Sequence, residues 1–393
     1  MNQRSFIFLI VVAAVAGLLW LVSSLFQSST PEPGNAGTLS LSDVLTSAEE
    51  EGFARVSASR EFSFPADHGP HADFKSEWWY FTGNLESAPG KGFGFQFTLF
   101  RSALSRHKAV RASQWAAHQA YMGHFAITDV EAGKFYAFER FSRDGMGLAG
   151  AEAAPLSLWI DDWGVTGKEN GSDEAMPELH LSASEQGIGL ELALKSLKPI
   201  VLQGENGRSV KGDDSDNASY YYSVTRLDAQ GTITLPGRSF EVNGLAWMDR
   251  EWSSHALGKN TIGWDWFALQ LDNGCDLMLY QLRRADGSIS PHSHGCWVLR
   301  DGQARNVAHN EFSVEVSSQW NNGSGSNYPS QWSLSLPDLD LILELKPQVP
   351  DQELKFGFRY WEGAVFVNGK VGDEAVNGRG YVELTGYAGD PIR

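Results

Sequence analysis

From Phe62 onward the chain is a succession of short aromatic and β-branched runs, many alternating apolar and polar residues, separated by Gly, Asn, Asp or Pro. Residues 93–101, 125–130, 156–160, 239–248, 277–282 and 341–345 are of this kind, and an alternation with period two places neighbouring side chains on opposite faces of a strand. Helical patterns are scarce, so the pattern predicts an all-β chain of the sandwich or barrel type. Only the N-terminus reads differently. Arg4 precedes an almost unbroken apolar run, 6–25, and a Ser-, Pro- and Gly-rich stretch follows at 28–37. Residues 1–27 are thus expected to be an export signal or an uncleaved inner-membrane anchor, with 28–61 a linker and a short amphipathic segment. Either reading places the body outside the cytoplasm, in the periplasm.

The β pattern occurs twice. Glu77-Trp-Trp-Tyr-Phe-Thr-Gly-Asn-Leu85 matches Gly263-Trp-Asp-Trp-Phe-Ala-Leu-Gln-Leu271, and each leads through a Gly-containing turn into a second strand, 95–101 or 277–283, that closes on Arg. Gly123-His-Phe-Ala-Ile-Thr-Asp129 matches Gly295-Cys-Trp-Val-Leu-Arg-Asp301, and Val242-Asn-Gly-Leu-Ala-Trp-Met-Asp249 matches Val376-Asn-Gly-Arg-Gly-Tyr-Val-Glu383. The matches are collinear, so the chain is expected to be two copies of one unit, 62–252 and 262–393, joined by 253–261. Each copy is read as one sheet curled until its edges meet, which removes exposed strand edges. The first copy is longer, with its excess in polar stretches at 168–174 and 205–218 that read as surface loops or flaps.

Composition narrows the function. The length, 393 residues, suits two domains, and 14 Trp with 41 Gly suit strands and tight turns. A net charge of −17 leaves no basic footprint for nucleic acid. Cys275 and Cys296 flank the Ala285-Asp-Gly287 turn at similar distances, so a cross-hairpin disulfide and two free thiols are both open readings. No Gly-x-Ser-x-Gly elbow, P-loop or His-Glu-x-x-His helix is present, and neither the His292, His294, Cys296 triplet nor His68, His71, His118 and His124 has a compelling metal spacing. No metal or cofactor is expected.

The stretches Phe64-Pro-Ala-Asp-His-Gly-Pro-His71, Ser76-Glu-Trp-Trp-Tyr-Phe-Thr-Gly-Asn84, Leu245-Ala-Trp-Met-Asp-Arg-Glu-Trp252, Gly263-Trp-Asp-Trp266 and Gly378-Arg-Gly-Tyr-Val-Glu-Leu-Thr-Gly-Tyr387 together resemble the AttH-like group of the carotenoid 1,2-hydratase (CrtC-like) family. The resemblance implies tandem lipocalin-like barrels with a hydrophobic ligand (lipid, lipopeptide or isoprenoid) at or near their interface, and for many bacterial members an ABC transporter with MacB/FtsX-type permeases as partner. It also implies, as the alternative, a cofactor-free hydratase, lyase or isomerase. In such enzymes a Tyr-x-Asp pair protonates an alkene, and it matches Trp247-Met-Asp249 here, with Tyr replaced by Trp; an upstream His and Trp fall near Tyr220 and Tyr222.

Protonating an alkene requires an acid, and the resulting cation requires aromatic faces. The catalytic candidates are therefore Asp249, Trp247, Tyr220 and Tyr222. Asp249 has a second reading as a structural carboxylate paired with Arg250. Further candidate ligand contacts are Glu77, Trp79, His124, Arg250, Glu251, Trp252, Trp264, Asp265 and Trp266, although Glu77 in a Trp-rich strand is expected first as the buried partner of Arg101 or Arg140. The junction between the copies, 247–252 and 263–266, is the expected location of the site.

Overall fold

The computed structural model describes residues 52–388 apart from 89, 106–112, 114, 169–174, 256 and 259. The apolar run, most of the linker and the flap at 169–174 lie outside the described residues. Among those described, no helix is long and apolar enough to cross a membrane.

Two antiparallel sheets make up the body. The first, in chain order, is β1 (Ser76–Ser87), β2 (Lys91–Ala103), β3 (Gln119–Asp129), β4 (Lys134–Arg143), β5 (Ala149–Ala153), β6 (Leu156–Ile160), β7 (Trp163–Gly167), β8 (Leu179–Glu185), β9 (Ile188–Ser196), β10 (Val201–Leu202), β11 (Arg208–Val210), β12 (Ala218–Leu235) and β13 (Arg238–His255). The second is β14 (Thr261–Leu271), β15 (Asp276–Arg284), β16 (His294–Val298), β17 (Ala304–Ala308), β18 (Ser313–Asn321), β19 (Asn327–Leu336), β20 (Leu341–Pro347), β21 (Glu353–Lys355), β22 (Arg359–Val371) and β23 (Glu374–Leu384).

The strand orders, β4-β3-β2-β1-β13-β12-β9-β8-β7-β6-β5 and β17-β16-β15-β14-β23-β22-β20-β19-β18, share one plan. β1 corresponds to β14, β2 to β15, β3 to β16 and β13 to β23, as the sequence repeat requires. β5 and β6 extend the first path beyond β7, the strand whose counterpart, β18, ends the second. Each sheet curls over its own core, but no backbone ladder among the described residues joins β4 to β5 or β17 to β18. The barrels are curled rather than sealed.

Alternation decides which side chains fill them. Trp79, Phe81, Phe97, Leu99, Ala246 and Met248 point inward in the first barrel, and Phe267, Leu279, Trp361, Val365, Val382 and Leu384 do so in the second. Both lumens are packed with apolar side chains, each contributing roughly 1.5–3 kcal/mol by its burial. The residues one position along point the other way, and there the two barrels meet.

The segment before β1 closes one end of the first barrel. Trp79 donates its indole N–H to the His68 carbonyl (2.7 Å), and the His68 Nδ1 lies 2.6 Å from the Tyr222 hydroxyl. The stretch at 205–218, expected as a loop, contains β11, which pairs with β12 and sends the following Lys211 inward. Cys275 and Cys296 are free thiols: Cys296 stands opposite Met278, so the hairpin register separates the two cysteines.

Candidate functional site

The sheets face one another across a cleft. The first wall presents Trp78, Tyr80, Thr98, Phe100, Tyr221, Asp249 and Glu251; the second presents Trp264, Trp266, Tyr280, Leu282, Tyr360, Glu362 and Glu383. The walls are related by the repeat, which lays Trp78 on Trp264, Tyr80 on Trp266, Phe100 on Leu282 and Asp249 on Glu383. Register fixes the same relation: Asp249 stands beside Tyr80 across β1 and β13, and Glu383 beside Trp266 across β14 and β23. The Tyr80 and Trp266 rings meet edge to face at 5.1 Å, closing the floor between the walls.

Asp249 is buried in this cleft. One carboxyl oxygen accepts hydrogen bonds from Ser223 (2.5 Å) and the Trp247 indole (2.8 Å), and the other accepts from Tyr221 (2.6 Å). Burial pushes its pKa up to about 6, against the pull of those donors and of Lys211. The Lys211 ammonium pairs with Glu251 and lies 5.4–5.8 Å from the ring centres of Trp78, Tyr221 and Tyr280. Burial lowers its pKa to about 7, although the charges of Asp249 and Glu383 work in the other direction. On the second wall, burial and the neighbouring Glu383 hold Glu362 well above the usual carboxylate range. The cleft therefore combines aromatic faces with carboxyl groups whose pKa values burial raises.

The sequence candidates divide by strand face. Asp249, Glu251, Trp264 and Trp266 line the cleft, and Trp247 supports Asp249 through its indole. Tyr220 and Tyr222 point to the opposite side, where they pack with Phe62, Phe74 and Trp252, and the intervening Tyr221 faces Asp249. Glu77, Trp79, Arg250 and Trp252 lie on that same opposite side. There Glu77 pairs with both Arg101 and Arg250, while the Arg250 guanidinium covers Trp79 at 4.0 Å and the Trp252 ring stacks on His71 at 3.8 Å.

Arg250 is thus turned away from Asp249, which excludes the Asp249–Arg250 pair read from their adjacency, and Arg140 bonds Asp162 and Glu185 rather than Glu77. Asp265 faces away from the cleft and accepts from Arg283 and Tyr387. His124, on β3 beside Thr98 of the first wall, lies 2.6 Å from the Tyr360 hydroxyl of the second. No group of three His, Cys, Asp or Glu side chains suited to a metal ion occurs among the described residues.

Tyr80, Lys211, Tyr221, Tyr280, Tyr360, Glu362 and Glu383 were not among the sequence candidates. Two signals point to part of this set: counting by twos from Asp249 selects the cleft face, and the repeat itself places Glu383 on Asp249.

Paired curled sheets with packed lumens and a cleft between them define a tandem lipocalin-like protein. The chain belongs to the AttH-like family, whose sequence model matches residues 55–387. An AttH crystal structure from Nitrosomonas europaea is 34% identical, with a TM-score of 0.75 over 86% of this chain and 100% of that one. Kievitone hydratase from Nectria haematococca shares the fold at 13% identity, with a TM-score of 0.64 over 88% of this chain and 98% of that one. CghA shares it at 14% identity, with a TM-score of 0.50 over 86% and 96% of the respective chains. No curated protein sequence matches the chain.

Proposed function

We propose that the cleft binds an apolar, unsaturated ligand, a lipid or isoprenoid, and that Asp249 protonates a carbon–carbon double bond in it. The observation that carries this reading is the state of Asp249, a buried acid with a pKa near 6, held by three donors within an aromatic cleft. An acid poised near the working pH is both present in its protonated form and able to release its proton.

In the step itself the Asp249 O–H bond breaks as a C–H bond forms, the electrons coming from the alkene. The positive charge left on the other carbon lies before the faces of Trp78, Trp264 and Trp266. Loss of a different proton yields an isomer; capture of water yields an alcohol and leaves one proton to be removed.

The aromatic lining also supports a second reading, in which the protein shields the same class of ligand without changing it, beside an ABC transporter permease. In both readings the 6–25 run serves export or anchoring and the body works in the periplasm. Heavy water separates them. Farnesol and other uncharged isoprenoids are incubated with the full chain and recovered for mass spectrometry. The catalytic reading expects deuterium on carbon or a water adduct from the native protein and neither from Asp249→Asn. Binding of the panel without deuterium uptake would overturn catalysis and leave the shielding role.

A further inference from the structure

Glu362 is 1% exposed, lines the cleft, and has both carboxyl oxygens buried beside the Tyr80 and Tyr360 hydroxyls, with no cation paired to it among the described residues. It stands directly opposite Glu383 across β22 and β23. An unpaired buried carboxyl costs several kcal/mol if charged, so it keeps its proton unless it has work to do. The groups that face it are Tyr80 from β1, Tyr360 from its own strand, and Tyr381 and Glu383 from β23, with Asp249 and Lys211 acting on Glu383 from the first wall. Two carboxyls this close in low dielectric resist carrying two charges together.

A path leads away from the pair. Tyr360 presents its hydroxyl to Glu362 and lies 2.6 Å from the Nδ1 of His124, a wholly buried residue of the other barrel. The His124 Nε2 lies 3.3 Å from Glu139, whose side chain reaches the surface of β4 with 17% exposure. The imidazole is fixed among Phe100, Phe356 and Phe358, with ring centres 4.9–5.5 Å away. A histidine packed only for volume would need neither polar contact.

We propose that Glu362 and Glu383 form a second acid–base site sharing one proton, and that Tyr360, His124 and Glu139 carry protons between that site and the protein surface. The proposal rests on the proton-transfer reading of the cleft and supplies the group that reading lacks. As water adds to the cation, a C–O bond forms and the surplus proton passes to the ionised carboxyl of the pair. For release, Glu362 gives a proton to the Tyr360 oxygen as Tyr360 gives its own to His124 Nδ1 and the Nε2 proton passes to Glu139. Each bond to hydrogen that breaks is replaced by one that forms. Uptake by Asp249 from solvent then balances the cycle to net addition of water.

Infrared difference spectroscopy of the full chain in detergent at neutral pH tests the pair without a substrate. A protonated-carboxyl carbonyl band is expected that disappears in Glu362→Gln and shifts in Glu383→Gln; a spectrum unchanged by both overturns the shared proton. On transfer to heavy water the deuteration of that band should slow by roughly tenfold or more in Glu139→Gln and in His124→Phe, a barrier increase of about 1.4 kcal/mol or more. Glu139→Gln covers the case in which the buried histidine variant fails to fold, and an unchanged rate in a folded variant overturns the relay. Farnesol deuteration is measured in parallel. If it fails while the band behaves as described, the catalytic reading falls and the pair stands; if it succeeds without the band, the pair falls and the catalytic reading stands.

Discussion

Asp249 and Glu383 occupy equivalent positions in two copies of one strand and face each other's walls across a single cleft. Each senses the other, since the Asp249 charge raises the pKa of Glu383, and such coupling acts equally in both directions. Glu383→Gln should therefore lower the Asp249 pKa from about 6 toward its ordinary value, and Asp249→Asn should lower that of Glu383. Carbon-13 NMR titration of the side-chain carboxyls reads both. Independent titrations would show that the walls are electrostatically separate.

Neighbouring tyrosines on β12 should behave as members of different sites. Tyr221 donates to Asp249, a bond that favours the carboxylate, so Tyr221→Phe should raise the Asp249 pKa above about 6. Tyr222 donates or accepts at His68 on the far face, and Tyr222→Phe should leave the Asp249 titration in place while costing about 1 kcal/mol of stability. The same NMR titration and a denaturant melt check the pair.

Those tyrosines mark the limit of what sequence shows here. Strand content, the doubling of the unit and even the equivalence of Asp249 with Glu383 are written in local patterns and in self-similarity. Which face of each strand meets the partner barrel is not, because all faces of β1, β12 and β13 are aromatic: Trp78 and Trp79, or Tyr221 and Tyr222, differ only in parity. Alternation orders them relative to one another but needs one anchor in the tertiary structure. Lys211 was hidden for another reason, since its polar surroundings read as a surface loop while β11 turns its long side chain inward. Glu362 lies on β22, outside the stretches in which the two copies resemble each other.

Glu77 should matter to stability and not to the cleft. It holds the buried Arg101 and Arg250 on the far face, and the two arginines bind the carbonyls of Gly69, His71 and Phe74 in the closing segment. Glu77→Ala leaves two buried cations without their partner, and a loss of about 3–5 kcal/mol is expected. Farnesol affinity of the variant, measured below its unfolding transition, should match the native protein. A weak effect on stability would mean that water compensates both arginines.

Stability should depend on pH through opposed buried groups, His68 and Asp249 among them. His68 has its pKa lowered to about 4 by burial, so the folded state binds fewer protons than the unfolded state between about 4 and 6.5, and stability is lost as pH falls through that window. Asp249, raised from 3.8 to about 6, binds more protons when folded, so its contribution is lost as pH rises from 3.8 to 6. Each is worth up to about 3 kcal/mol and they largely offset in the native protein. Relative to the native profile, His68→Gln should tilt the melting temperature downward from pH 4 to pH 6, and Asp249→Asn should tilt it upward over the same range. Parallel profiles for both variants would refute the assignment.

At Gly94, β2 lies close against the second barrel. A Cβ there would lie 2.7 Å from the Tyr381 hydroxyl and 2.8 Å from the Ala364 Cβ, both on the facing wall. The hydroxyl can swing aside, but Ala364 is fixed to its strand, so Gly94→Ala must push the sheets apart or strain them. About 1–3 kcal/mol of destabilisation is expected, and Gly94→Val should exceed it. Gly92, on the same strand, is the control: a Cβ there meets only Val130 at an ordinary 3.6 Å, and its alanine variant should stay within about 0.5 kcal/mol of the native protein. Because Gly94 also sets the spacing of the walls, its variants should weaken farnesol binding while Gly92→Ala does not. Equal affinities across all three would place the ligand elsewhere than between the barrels.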